Sequence, residues 1–297
     1  MGYFYLLIAV FAGVTKAFCS KKQSSKVSTL PSAFLTSFVR MLMCIPVGLA
    51  LIFAAKTENT ALWDINTVLI SLFCAIATSA YVIVWLFSVR RGAFMLSTVF
   101  VMLGVAVTVA LSGIFFGEPI TLKDILSFAV LVVASLVMCS YNKDVNGKLD
   151  VLSVILLILC GLLNGLMDFS QKLFVYNSCG GSVETFNFYT YLFSAVMLGI
   201  VFLFFNKEKY KGNENPKSSL KSVFVFIALM GIATFLGSYF KTLSAITIPS
   251  AVMYPLFQGF TLPLTTLMTA IVFKEKITVK SIIGITLAFI SVLIINM

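Results

Sequence analysis

Residues 116–121 read FGEPIT and residues 273–278 read FKEKIT. Each closes one long apolar run and opens another. A shift of 157 positions carries Phe116, Glu118, Ile120 and Thr121 onto Phe273, Glu275, Ile277 and Thr278. The same shift lays Leu86-Phe87-Ser88-Val89 over Leu243-Ser244-Ala245-Ile246, and Ala93 over Ser250. A weaker match pairs Phe18-x-x-Lys21 with Phe169-x-x-Lys172 at a shift of 151, a difference that loop insertions absorb. The pattern is that of a duplicated unit, and the relation between the copies decides the fold.

Composition sets the solvent of that unit. Of the 297 residues 60% are hydrophobic and only 11% are charged, with a mean hydropathy of +1.06, whereas soluble domains are about a quarter charged. Apolar stretches of roughly 18 residues, enough to cross a hydrocarbon core as helix, lie near 2–19, 32–55, 67–89, 93–116, 121–141, 151–174, 185–205, 221–246, 249–273 and 278–296. Ten-residue alternating segments are absent, which favours helices over a barrel. Each half, 1–141 and 151–297, holds five stretches, and an odd number makes the second copy enter from the opposite side. The expected fold is an all-α integral membrane protein of ten transmembrane helices, built as two inverted five-helix repeats. The two Glu-bearing hexapeptides become interfacial turns at opposite faces. NKEKYKGNENPKSSLK (206–221) reads as a solvated loop. The first run lacks an amino-terminal basic region and a small-residue cleavage site and carries Lys16, so it reads as a mature helix.

The stretch KTLSAITIPSAVMYPLFQGFTLPLTTLMTAIVFKEKIT (241–278) resembles the EamA signature of the drug/metabolite transporter superfamily. In the first half LFSVRRGAFMLSTVF, FFGEPIT and the aromatic and Arg pair within Phe38-Val39-Arg40 resemble it too. Two departures stand out. Thr98 occupies the place of a counterpart to Pro255, and the Trp-Gly of the family's first helix is Ala12-Gly13 here. The resemblance implies a carrier of small metabolites or drugs, a central cavity between the halves, cytoplasmic termini and no catalytic motif.

Polar stripes indicate a cavity independently. Asn164, Asp168, Gln171 and Lys172 in the sixth helix fall within about 100° of one another. Gly161 and Gly165 border that face as a small-xxx-small pair, which lets another helix approach closely. The third helix carries Ser71, Cys74, Thr78, Tyr81, Trp85 and Ser88; the eighth Thr234, Ser238, Lys241 and Thr242; the ninth Tyr254, Gln258, Thr261, Thr265 and Thr269. Polar groups facing lipid would lack partners, so these helices should face inward and the fifth and tenth should stand outside. A single Ser or Thr in such a stripe is more often packing between helices.

Lys16, Arg40, Asp168 and Lys241 lie deep in spans, where an ionised side chain costs roughly 2.5–3.5 kcal/mol without a partner or water. Asp168 can pair with Lys172 on its own helix, or share a site with Lys16 or Lys241 and take up a proton or a cationic group of the substrate. With one deep acid among several cations, the interior suits an anionic or zwitterionic substrate. Arg40 reads as structural, as do Glu118 and Glu275 at span ends. Pro255 and Pro263 each remove a backbone hydrogen bond in the ninth helix, which kinks it or frees carbonyls toward a cavity.

Catalysis finds little support. The chain has no His, one deep carboxylate, and cysteines at 19, 44, 74, 139, 160 and 179 without C-x-x-C spacing. No Gly-rich phosphate loop is present, so neither a metal, a cofactor nor ATP is expected. The net charge of +10 is explained by placement rather than by nucleic acid: 15 of 21 basic residues lie in or beside the odd-numbered loops. By the positive-inside rule those loops are cytoplasmic and both termini outside, whereas the family resemblance implies termini inside.

The expectation is a permease of the plasma membrane, a secondary transporter that moves a small organic metabolite, such as an amino acid or similar polar solute, or a drug, by alternating access. Protons are a candidate coupling ion. The alternatives are a lipid-linked sugar flippase, for which a lateral opening between helices is wanted, and a membrane-embedded protein without transport activity, either a partner or an enzyme.

Overall fold

FGEPIT folds as a stop and restart. Gly117, at a φ of 65°, takes the left-handed conformation that commonly ends a helix, and its N–H donates to Gly113 O at 3.2 Å. Pro119 then bars continuation. The N–H and hydroxyl of Thr121 both donate to Asp124 Oδ2 at 2.7 Å, and the Asp124 N–H returns to Thr121 Oγ1 at 3.4 Å, a capping box that starts the next helix. The matching segment 274–278, with Glu275, lies outside the described residues.

The computed structural model describes residues 1–24, 27, 30–56, 62–90, 94–146, 151–177, 180–206, 216–273 and 279–296. Among them the chain is all-helical, with ten helices. These are α1 (Gly2–Ser24), α2 (Leu30–Ala54), α3 (Ile65–Arg90), α4 (Phe94–Phe116), α5 (Leu122–Asn146), α6 (Val151–Tyr176), α7 (Val183–Asn206), α8 (Pro216–Ala245), α9 (Ser250–Phe273) and α10 (Val279–Asn296). Seven of them, α1, α2, α3, α6, α7, α8 and α9, are long and apolar enough to cross a membrane. The surface is inverted relative to a soluble protein. Phe53, Ile114, Leu203, Phe204 and Val225 are exposed while Thr36, Ser71, Thr108, Ser112 and Asn187 are buried, as lipid contact outside and polar pairing inside require.

Contacts fix the directions of the helices. Gly2 meets Ser244, Ala9 and Ala12 meet Gly237, and Phe18 meets Phe226, so α1 and α8 run antiparallel. α2 and α7 are also antiparallel, through Phe34 with Phe205, Phe38 with Gly199 and Gly48 with Phe188. α4 and α6 run parallel, with Gly104 against Gly161 and Gly165 and Phe116 stacked on Phe169 and Tyr176. The glycines set that spacing: a Cβ at Gly165 would stand 2.5 Å from Gly104 O, and one at Gly161 2.6 Å from Phe100 O. α5 and α10 are antiparallel partners at one edge of the bundle, joined by reciprocal hydrogen bonds at 2.8 Å from each of Ser127 Oγ and Ser291 Oγ to the other residue's carbonyl.

One end of the bundle gathers Gly2, Leu62, Asp64, Glu118, Gly180 and Ser250. Tyr189 Oη donates to Leu62 O at 3.0 Å, Gly180 lies beside Asp64, and Glu118 reaches Ser250.

Candidate functional site

The turn that Gly117 creates aims Glu118 across the bundle. Its Oε2 accepts the Ser250 N–H at 3.0 Å and its Oε1 lies 2.9 Å from Lys172 Nζ. Lys172 in turn donates to Ala245 O at 3.1 Å and Ile248 O at 3.5 Å. An anion therefore sits on the first N–H of α9 and a cation on the last carbonyls of α8, each where the helix dipole favours it. This clasp joins the α4–α5 turn, the end of α6 and the α8–α9 turn, with Lys172 buried.

One helical turn further in, Asp168 is ion-paired with Lys241 of α8, and its carboxyl is buried. Of the three partners left open by the sequence, Lys241 holds Asp168, Lys172 is taken by Glu118, and Lys16 makes no ion pair among the described residues. Tyr254 Oη donates to the backbone carbonyl of Asp168 at 2.6 Å. The Lys241 ammonium lies 5.1 Å from the Phe257 ring centroid and 5.9 Å from that of Tyr254, a cation–π cage on α9. Asp168 Oδ2 and Gln171 Oε1, one turn apart, are buried acceptors with no hydrogen-bond donor among the described residues.

Gln171 begins a polar chain through the core. Its Nε2 donates to Ser238 Oγ at 2.9 Å, Ser238 donates to Asn187 Oδ1 at 2.7 Å, and Asn187 Nδ2 donates to Val183 O at 2.9 Å. Asn164 instead turns to α4, donating to Val101 O at 3.3 Å. Gln258 is half-buried on α9, Pro255 is buried and Pro263 half-buried, and α9 continues through both prolines.

Lys16 and Arg40 lie nearer the other end. Tyr5, Ala9, Ala12 and Gly13 of α1 contact Phe240, Gly237, Phe257 and Thr261 of α8 and α9. At 100° per residue Lys16 falls within about 60° of all four. It points into the bundle, yet its side chain keeps exposed surface. The charged groups within electrostatic reach of it are Arg40, Lys241 and Asp168. Arg40, half-buried on α2, has Cys44, Tyr81 and Tyr191 around it; its Nη1 meets Met230 Sδ at 3.9 Å and its Nε has no partner among the described residues. Tyr81 in turn has Arg40, Cys160 and Asp168 in reach. Trp85, one turn further along α3, packs at the edge of the cluster around Phe34 and Met41.

Helix α7 is the contributor that the stripes overlooked. Glu184, Asn187, Tyr191 and Ser194 form an i, i+3, i+7, i+10 row. Glu184 accepts from Tyr239 Oη at 2.8 Å, and Tyr191 Oη donates to Thr234 O at 3.2 Å. The row was visible in the sequence, diluted by the aromatic residues between its members.

A hollow of about 270 Å³ lies between α4, α5 and α9, lined by Val105, Val109, Ile125, Phe128, Ala251 and Pro255 among others. It is apolar and separate from the charged cluster.

Residues 1–140 and 151–297 match the model of the EamA-like transporter family. A solved crystal structure 13% identical to the chain covers 98% of it with 96% of its own length at a TM-score of 0.73, a likeness of fold alone. No curated relative matches the chain. The chain, a multi-pass integral membrane protein, belongs to the EamA-like transporter family of the drug/metabolite transporter superfamily.

Proposed function

We propose that the protein is a secondary transporter of the plasma membrane that moves a small polar organic metabolite by alternating access through the space between two inverted five-helix halves. The observation that carries this reading is Lys16, which lies on the inward stripe of α1 and is nevertheless exposed. An ionised side chain that faces inward and stays exposed calls for an aqueous chamber inside a protein whose outside is apolar. Several relations support the inverted arrangement. Equivalent helices five places apart, α2 with α7 and α5 with α10, meet as antiparallel pairs. The pairings α1 with α8, α2 with α8 and α4 with α5 each have a counterpart in α6 with α3, α7 with α3 and α9 with α10. All ten helices would then span the bilayer.

The Glu118–Lys172 clasp closes one end of the chamber, and its rupture would open that end as the halves rock. Asp168, paired with Lys241 at the floor of the chamber, is the candidate proton carrier. Reconstitution into vesicles tests the reading: solute counterflow without ATP supports it, and its absence over a broad panel of metabolites counts against it. The apolar hollow between α4, α5 and α9 favours the flippase as second reading, since an acyl chain would fit such a lateral opening. Vesicles loaded with a fluorescent lipid-linked sugar separate the two.

A further inference from the structure

We propose that Lys16 and Arg40 together form a receptor for an oxyanion, the carboxylate or phosphate group of a small organic acid. This rests on the transport reading only for the statement that the bound acid is cargo.

Among the described residues, the charged side chains within electrostatic reach of Lys16 are Arg40, Lys241 and Asp168. Lys241 is neutralised by Asp168 and covered by two aromatic rings. Lys16 and Arg40 have no acidic partner among the described residues, and the hydrogen bonding of the guanidinium there is limited to a methionine sulfur at 3.9 Å. The groups around Arg40 are a thiol and two phenols, Cys44, Tyr81 and Tyr191, none of which carries a negative charge at neutral pH. Tyr191 already donates its hydroxyl hydrogen to Thr234 O.

Guanidinium and ammonium are donors only, so the end of a ligand that meets them must be rich in acceptors. The planar fork of Arg40 suits two oxygens of one carboxylate or phosphate, and Lys16, on a long flexible stem, adds a movable point charge within electrostatic reach of it. Asp168, the acid in reach, already pairs with Lys241, so a cationic group meets one neutralised carboxylate where an anion meets two cations without an acidic partner among the described residues. The exposed surface of Lys16 gives the ligand an entry path.

The test reads binding, not transport. Trp63 lies exposed in the α2–α3 connection, so Trp63→Phe leaves Trp85 as the sole tryptophan reporter beside Tyr81. In detergent, succinate or glycerol 3-phosphate should quench Trp85 saturably, while succinamide and 1,4-diaminobutane should need at least tenfold higher concentration. Quenching by succinate alone assigns a carboxylate site, and by glycerol 3-phosphate alone a phosphate site. Lys16→Met and Arg40→Met should each weaken binding of the effective oxyanion tenfold or more. Arg40→Lys should fall between, since it keeps the charge and loses the fork. If Arg40→Met does not elute as a folded species, Lys16→Met, Arg40→Lys and the ligand series on the parent decide the matter. Quenching by neither oxyanion, equal binding of the diamide or diamine, or parental binding by Lys16→Met overturns the proposal. Oxyanion binding without counterflow contradicts the carrier reading alone, and counterflow of a neutral or cationic solute without oxyanion binding contradicts this inference alone.

Discussion

Lys172 lies one turn beyond Asp168 on the same helix and pairs not with it but with Glu118, at 2.9 Å, from the α4–α5 turn. That choice leaves Asp168 to Lys241 of α8 and separates two functions: one ion pair seals an end of the bundle, and the other sits beneath it among aromatic rings.

Removing either member of the inner pair strands a buried charge, which costs about 3–5 kcal/mol, whereas replacing both can be nearly neutral. Asp168→Asn and Lys241→Met should each lower the melting temperature of the purified protein, and the double variant should recover most of the loss. All three should lose counterflow if the pair takes part in transport. Additive losses in the double variant would show that the two side chains do not interact.

Glu118→Gln weakens the hold on Lys172 and on the first N–H of α9. Ser250→Cys introduces a thiol at a buried position whose side-chain oxygen makes no hydrogen bond among the described residues. Adding Glu118→Gln should raise labelling of that thiol by a membrane-impermeant maleimide several-fold. An unchanged labelling rate would mean that the clasp does not control access at this end.

The α4–α6 seam depends on the absence of side chains. Gly165→Ala forces a methyl to within 2.5 Å of Gly104 O and 2.6 Å of Val107 Cβ, and such overpacking costs about 1–3 kcal/mol. Gly180→Ala, whose Cβ would have 3.5 Å to its nearest neighbour, Asp64 Oδ1, should stay within about 0.5 kcal/mol of the parent. Thermal melts of the two variants in one detergent make the comparison.

Asp64 caps α3 outside the membrane. The hydroxyl of Thr67 at 2.6 Å, with its backbone N–H at 2.8 Å, holds the Asp64 carboxyl below its ordinary range. A depressed folded value means that the contribution is complete above the unfolded value of about 3.9 and is lost as pH falls through the folded one. Asp64→Ala should therefore cost about 1 kcal/mol at neutral pH. The gap to the parent should stay constant down to about pH 5 and shrink below about pH 4, as followed by melting temperature.

Much of this was legible in the sequence because bilayer thickness dictates span length. The apolar stretch 151–174 became Val151–Tyr176 and 249–273 became Ser250–Phe273. Helix ends that leave the hydrocarbon were not legible, since hydropathy falls there while backbone hydrogen bonding continues. Thus α5 runs to Asn146 and α8 begins at Pro216. Gly161 and Gly165 announced a close helix approach, and α4 supplies it. The charge partners were a different matter. Local spacing offered Lys172 to Asp168, but the Gly117 turn brings Glu118 to Lys172 from a distant part of the chain, a relation no periodicity records. Arg40 is similar. Its depth was evident from the sequence, whereas its lack of an acid among the described residues depends on how α2, α3 and α7 meet.

The central claim is an aqueous chamber reached by Lys16 between the two halves. Lys16→Cys in a cysteine-free background, reconstituted in vesicles, measures it directly. The account predicts that this thiol reacts with a membrane-impermeant maleimide applied from one side and is protected by a transported solute. Reaction with a lipid-soluble maleimide alone, unchanged by any solute, would place residue 16 against lipid and contradict the chamber.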